Sequence, residues 1–242
     1  MIPLRDNVPR VNTPWVVIAI IAANILAFLY EASLSRPELM EFVYRFGVVP
    51  LRYTEPGWAR AAGFPSDGVR PLFTYMFLHS GLLHIGFNMW FLWIFADNVE
   101  DACGHGRFLV FYLLCGLIAL GTHLLFNPGD KTPIVGASGA IAGVLGAYFM
   151  LYPQGRILTF IPIFIFPWFV KLPAVVFLGV WFGIQVVFGL AANPGDGGGI
   201  AWWAHAGGFA AGMGLIRFFR NPKLCRYCYV PERRDYEWTD RS

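Results

Sequence analysis

Ser138 lies in Gly136-Ala137-Ser138-Gly139, at the head of an apolar run that continues to Tyr152. A hydroxyl so placed becomes a nucleophile when a base lies within hydrogen-bond reach. Gly136 opens backbone conformations closed to other residues. The peptide N–H groups at a helix start also favour developing negative charge. The candidate base is His205, in Ala204-His205-Ala206-Gly207-Gly208-Phe209-Ala210-Ala211-Gly212. An imidazole inside an apolar run is costly and points to function. Gly208 and Gly212 follow it at three and seven residues, on the histidine's own helical face. The serine run is just as bare, with Gly139, Gly143 and Gly146 set among alanines. Such faces let two backbones come close. His84 and Asn88, four residues apart, share a helix face and can donate to the oxyanion of a tetrahedral intermediate.

Each residue also has a plainer reading. A lone serine in a membrane helix packs and bonds back to a carbonyl one turn earlier. His84 and Asn88 could be interhelical hydrogen-bond glue, and Gln185 in a later run is read that way. His79, five before His84 and partly off its face, is assigned a structural role holding the preceding connector. A metal held by His79, His84 and His205 is disfavoured: the five-residue spacing suits two ligands on one helix poorly, and no cysteine or carboxylate completes a shell. His105 and His123 fall near run ends and read as interfacial. Cys225-x-x-Cys228 is half a zinc pattern with no second half. Residues 195–199 lack the Gly-Lys-Ser/Thr ending of a phosphate loop and read as a flexible cap. No metal or cofactor is therefore expected.

The elements that must position these groups follow from composition. The chain is 57% hydrophobic and 14% charged, whereas a soluble domain carries about a quarter charged residues. Its apolar runs reach spanning length, roughly 17–25 residues, so it reads as a polytopic membrane protein. Spans are expected at about 14–30, 72–95, 108–126, 138–152, 172–191 and 200–219. The fourth is short, which sinks its start below the membrane surface and draws residues 127–135 in after it. Residues 31–71 are too aromatic for a loose linker and read as a structured interfacial element. Residues 156–173, punctuated by Pro162, Pro167 and Pro173, read as an apolar connector that grazes the membrane. No Asp or Glu falls inside an expected span, which makes the arrangement a dyad without a triad's carboxylate.

Six spans put both termini on one side. Basic residues crowd the tail, from Arg217 to Arg241, and Arg5 and Arg10 mark the head. Both ends are therefore expected in the cytoplasm. No cleavable signal is evident in the polar opening. The formal charge of +3 gives no reason to expect a nucleic-acid partner. The four cysteines show no secreted disulfide spacing and are expected as free thiols. The expected organisation is a cytoplasmic segment 1–13, a membrane domain 14–219 and a basic tail 220–242.

With spans two, four and six all running inward, His79, His84, Asn88, Ser138 and His205 fall at one depth. Taken together, His79-x4-His84-x3-Asn88, Gly136-Ala-Ser138-Gly139 and Ala204-His205-x2-Gly208-x3-Gly212 resemble the rhomboid family of intramembrane serine proteases. They occur in that family's order, and Ile2-Pro3-Leu4-Arg5-Asp6 also looks like many bacterial members. The resemblance implies an all-α, six-helix bundle with a structured first loop. Ser138 would be the nucleophile and His205 the base, with His84, Asn88 and the Ser138 N–H as oxyanion hole. Transmembrane proteins would be cut near the outer membrane face, approaching through the bilayer beside the fifth helix. Two departures stand out. Arg70 is followed by Pro71 and lacks the preceding Trp of the family's loop pair. Ala142 stands where many members carry an aromatic ring that stacks on the histidine. The rival reading is a catalytically inactive rhomboid-like binder of membrane helices. A channel or transporter is weaker, for want of charges within spans or of repeated, broken halves.

Overall fold

The computed structural model describes residues 1–65, 68–163, 166–192, 200–221, 224, 227–230 and 235–238. In chain order these form strand β1 (Ile2–Arg5) and then eight helices: α1 (Trp15–Ser33), α2 (Arg36–Phe46), α3 (Pro50–Thr54), α4 (Pro56–Ala61), α5 (Pro71–Thr74), α6 (Leu82–Cys103), α7 (His105–Phe126) and α8 (Ser138–Leu151). Strands β2 (Arg156–Ile163) and β3 (Phe166–Pro173) follow, then helices α9 (Ala174–Ala191) and α10 (Trp202–Phe219). A hairpin of β4 (Tyr227–Val230) and β5 (Asp235–Trp238) comes last. Helices α1, α7 and α9 are long and apolar enough to cross a membrane, and α8 is a shorter apolar helix.

Helix α8 is the axis of the fold: every residue from Gly139 to Tyr148 is buried. Glycine makes that burial possible. A side chain on Gly146 would strike the Phe209 carbonyl, one on Gly208 the Gly139 carbonyl, and one on Gly212 the Gly143 carbonyl. Helices α8 and α10 therefore pack backbone on backbone, as their bare faces predict. On another side, Gly143 faces Cys115 of α7, and Gly139 faces Ala119. Cys103 and Cys115 are buried free thiols.

The structure departs from the expected elements in four places. The second helix does not run unbroken from 72. A 3-10 turn at Tyr75–Phe77 and a non-helical stretch, residues 78–81, come before α6, which continues to Cys103. Ser80 and Gly81 are weak helix formers, and the Ser80 backbone and hydroxyl engage the His84 ring. Helix α1 runs on to Ser33, so its last turn contains a buried carboxylate, Glu31.

The expected connector 156–173 is a β-hairpin, so the fold is mainly helical without being all-α. Strand β1 adds to it to make a three-stranded antiparallel sheet, β1-β2-β3. The run Ile157-Leu158-Thr159-Phe160-Ile161 is rich in β-branched and aromatic residues that suit a pleated surface. Its alternate members Ile157 and Thr159 are fully buried. The prolines that block a helix pair near the far end, Pro162 opposite Pro167. Finally, the opening segment is drawn into the body: Pro3 sits in the edge strand, where a missing N–H costs nothing, and its carbonyl accepts from Trp90 Nε1 at 2.6 Å.

The described residues of the connector 31–71 are largely helical. Helix α2 starts at a Ser35–Glu38 capping box. The connector is stitched to the loop before α8 by a two-way bridge between Val48 and Ile134. Leu51 N donates to the Asp130 carbonyl and Thr54 Oγ1 to that of Pro128. In place of a Trp-Arg pair, the Arg70 guanidinium lies over the Phe46 ring at 5.7 Å. The connector thus buttresses the loop that delivers Ser138.

Candidate active site

Ser138 is the first residue of α8, so its N–H has no acceptor within the helix. The chain reaches it through Gly136, whose φ of +121° is open to glycine and strained for other residues. The Gly136 N–H donates to the Tyr75 carbonyl at 2.9 Å, tying this turn to the segment before α6. Gly136 is needed for space as well. An ideal Cβ there would lie 2.7 Å from His84 Nε2 and 3.6 Å from Asn88 Nδ2. The serine turn, the histidine and the asparagine therefore converge on one small volume.

His205 lies in the first turn of α10, and its Nε2 is 2.8 Å from Ser138 Oγ. The close α8–α10 packing sets that distance. On the other side of the ring, Nδ1 is 2.8 Å from Gln185 Oε1 on α9. Two rings flank the imidazole: Trp181 of α9, tilted at 5.9 Å, and Trp202, edge-on at 6.5 Å. Ala142 is buried within α8 and supplies no ring; a neighbouring helix does so instead.

His84 and Asn88 sit in the first two turns of α6. The Ser80 backbone N–H donates to His84 Nδ1 at a long 3.4 Å, and Ser80 Oγ lies 3.0 Å from it. A backbone N–H only donates, so Nδ1 is an acceptor and the ring's proton sits on Nε2, facing Gly136. Asn88 is 7% exposed, and its Nδ2 has no hydrogen-bond partner among the described residues. A buried amide donor left unused is costly unless something else accepts from it. Ser138, His84 and His205 are only partly buried, so a reactant can reach them. Together the His84 ring NH, the Asn88 amide and the Ser138 N–H are donors of the kind that can hold an oxyanion.

His79 is buried and packs edge-on against the His84 ring at 5.0 Å, and its backbone N–H donates to Glu31 at 3.1 Å. It thus steadies His84 and joins α1 to the segment before α6. His123 is buried in α7. His105 bonds Glu100 at 2.5 Å at the opposite end of α6. Cys225 and residues 195–199 lie outside the described residues. From sequence alone Gln185 reads as interhelical glue. Its position four residues after Trp181, on the same helix face, was the available signal that both could serve one ring.

A family profile described as the Rhomboid domain matches residues 66–222, which contain all the site residues named above. The chain belongs to the Rhomboid family and is a membrane protein. Among curated relatives, the human mitochondrial presenilin-associated rhomboid-like protein is 34% identical over 99 residues, 40% of this chain and 26% of that protein. The Bacillus subtilis rhomboid protease GluP is 43% identical over 76 residues, 31% of this chain and 14% of that protein. Rhomboid protein 1, mitochondrial, of Saccharomyces cerevisiae is 32% identical over 143 residues, 57% of this chain and 38% of that protein. The chain thus spans about a quarter of the human relative's length.

Proposed function

We propose that this chain is an intramembrane serine endopeptidase that hydrolyses peptide bonds of transmembrane proteins through a Ser138–His205 dyad. The observation that carries the reading is the 2.8 Å contact between His205 Nε2 and Ser138 Oγ, made across two helices that glycine brings together. Ser138 Oγ attacks the peptide carbonyl carbon while His205 Nε2 takes its proton. The resulting oxyanion accepts from His84 Nε2–H, Asn88 Nδ2–H and the Ser138 N–H. The C–N bond then breaks, and His205 returns the proton to the leaving amine. Water, deprotonated by His205, hydrolyses the acyl-enzyme and frees Ser138.

The six helices α1, α6, α7, α8, α9 and α10 are taken to cross the bilayer with both termini in the cytoplasm, which would put the dyad toward the outer face. Substrates are taken to be membrane helices that unwind there. Labelling with a fluorophosphonate probe, together with cleavage of a reconstituted transmembrane substrate, tests the reading. Capture at Ser138 and loss of both signals in Ser138→Ala are expected. A folded wild-type protein that neither labels nor cleaves would instead be a binder of membrane helices.

A further inference from the structure

The imidazole has two hydrogen-bond contacts, and only one is explained by a dyad. We propose that Gln185 is the positioning residue of His205: its amide oxygen accepts from Nδ1–H and so holds the tautomer whose Nε2 can take the serine proton. This rests on the protease reading above.

The amide's orientation is set independently of the histidine. Gln185 Nε2 donates to the Trp181 carbonyl at 3.2 Å, one turn earlier on α9. That leaves Oε1, an acceptor only, facing His205 Nδ1 at 2.8 Å. With Nδ1 protonated, neutral Nε2 presents a lone pair to Ser138 Oγ, as proton transfer requires. Gln185 is 5% exposed, so water does not compete for the contact. Trp181 lies tilted on the same ring. One face of α9 therefore supplies both the acceptor and the aromatic wall. A carboxylate, the usual orienting group, would bring a charge into this buried position at a desolvation cost. The amide orients the ring through a dipole and carries no charge.

The test compares Gln185→Met, which keeps bulk and removes the acceptor, with Gln185→Glu, which keeps the acceptor and adds charge. For Gln185→Met, kcat should fall about 10- to 100-fold with KM little changed, the size expected of a misdirected base. For Gln185→Glu, the acidic limb of the pH–kcat/KM profile should move to higher pH by about one unit, since an anion on Nδ1–H favours the imidazolium. A packing role would lower activity in both variants and leave that limb in place, which would overturn the proposal. So would a Gln185→Met kcat within twofold of wild type. Should Gln185→Met fail to fold, ring-15N spectra of wild type decide, with Ser138→Ala and a histidine substitution assigning the signal. A His205 ring protonated at Nδ1 is expected; a proton on Nε2 would overturn the idea. Wild type that is not labelled at Ser138 refutes the protease reading, whereas labelled wild type indifferent to Gln185 refutes this inference alone.

Discussion

The two ends of the bundle hold polar groups among apolar helices with opposite chemistry. At the end bearing Ser138, the groups bonded to Ser138 and His205 or facing the Gly136 turn are amides, imidazoles and backbone, with the Glu31 carboxylate set behind them on the His79 N–H. At the other end, carboxylates capture free backbone N–H groups. Glu100 accepts from Val16 N and Val17 N at 3.0 and 2.9 Å, capping α1 from a different helix. Asp101 accepts from Val11 N and Asn12 N. Tyr148 Oη donates to Asp6 at 2.5 Å. Fixed charge is thus used where donors are already present and permanent. On the proposed protease reading it is kept off Ser138, where the Asn88 donor would stay unused until a negative oxygen forms.

The largest expected effect comes from breaking the helix contact on which the neutral end depends. Gly212→Leu drives a branched side chain against the Gly143 backbone, which cannot move aside as a flexible side chain would. Over-packing should cost about 1–3 kcal/mol or more, and the separated dyad should lose probe labelling at least a hundredfold. Gly106→Ala, in α7 near the charged end, meets open space. It should leave labelling intact and raise stability by about 0.5–1 kcal/mol. Equal effects from the two substitutions, read by labelling and thermal melts, would erase the distinction.

Next in size is Asn88→Ala. The amide Nδ2 has no resting partner among the described residues, so removing it should leave the melting temperature nearly unchanged. Turnover should fall about a hundredfold, roughly 2.7 kcal/mol of barrier, as for a single oxyanion donor. A variant that instead melts early at normal turnover would make Asn88 structural and undo the contrast between the ends.

The two ends also differ in how far they could be read from sequence. Ser138, His205, His84 and Asn88 were nameable because their signals are local: glycine at turn spacing, helical periods, a histidine in an apolar run. The helices α1, α6, α7, α8, α9 and α10 were legible for the same reason. The hairpin 156–173 was not. Its prolines argued against a helix, but in so apolar a chain a short β-branched run reads equally as a membrane-grazing connector; the third strand, Ile2–Arg5, pairs from more than 150 residues away and leaves no local trace. Glu100 and Asp101 were hidden likewise: a carboxylate after an apolar run looks like an ordinary helix end until the chain that it caps folds back. Gln185 looked like one of many polar contacts until α9 was seen to carry Trp181 to the same ring.

At the charged end, Glu100→Ala should show the reverse of Asn88→Ala. Glu100 is 1% exposed and serves two backbone donors and His105. Its loss should cost about 1–2 kcal/mol of stability, measured by thermal or denaturant unfolding, with kcat unaltered. A drop in kcat without a drop in stability would show that the two ends are coupled through α6.

The smallest effect expected is a pH dependence confined to the charged end. Burial raises the Asp6 carboxyl to about 6, against the lowering by the Tyr148 hydroxyl and by backbone donors at Val8 and Asp6. The Asn98 amide, turned to present its nitrogen, bridges Asp6 at 3.0 Å and Asp97 at 3.2 Å, so the second carboxylate faces the first. Between the ordinary carboxyl range near 4 and a pH of about 6, the docked segment binds more protons than the free one. Docking is therefore strongest below that window and weakens as pH rises through it, by on the order of 1 kcal/mol after solvent screening. Hydrogen exchange of β1 against pH should show protection falling between about pH 4 and 6. Asp6→Asn should make the curve shallower, since the amide does not titrate and only the facing Asp97 carboxyl is left to do so, and Ser138 labelling corrected for its own pH profile should be the same in both proteins. Protection that instead rises with pH would mean that the ionised carboxylate is the form that Tyr148 holds. The charged end would then be stabilised by its charges throughout, a sharper opposite to the neutral site.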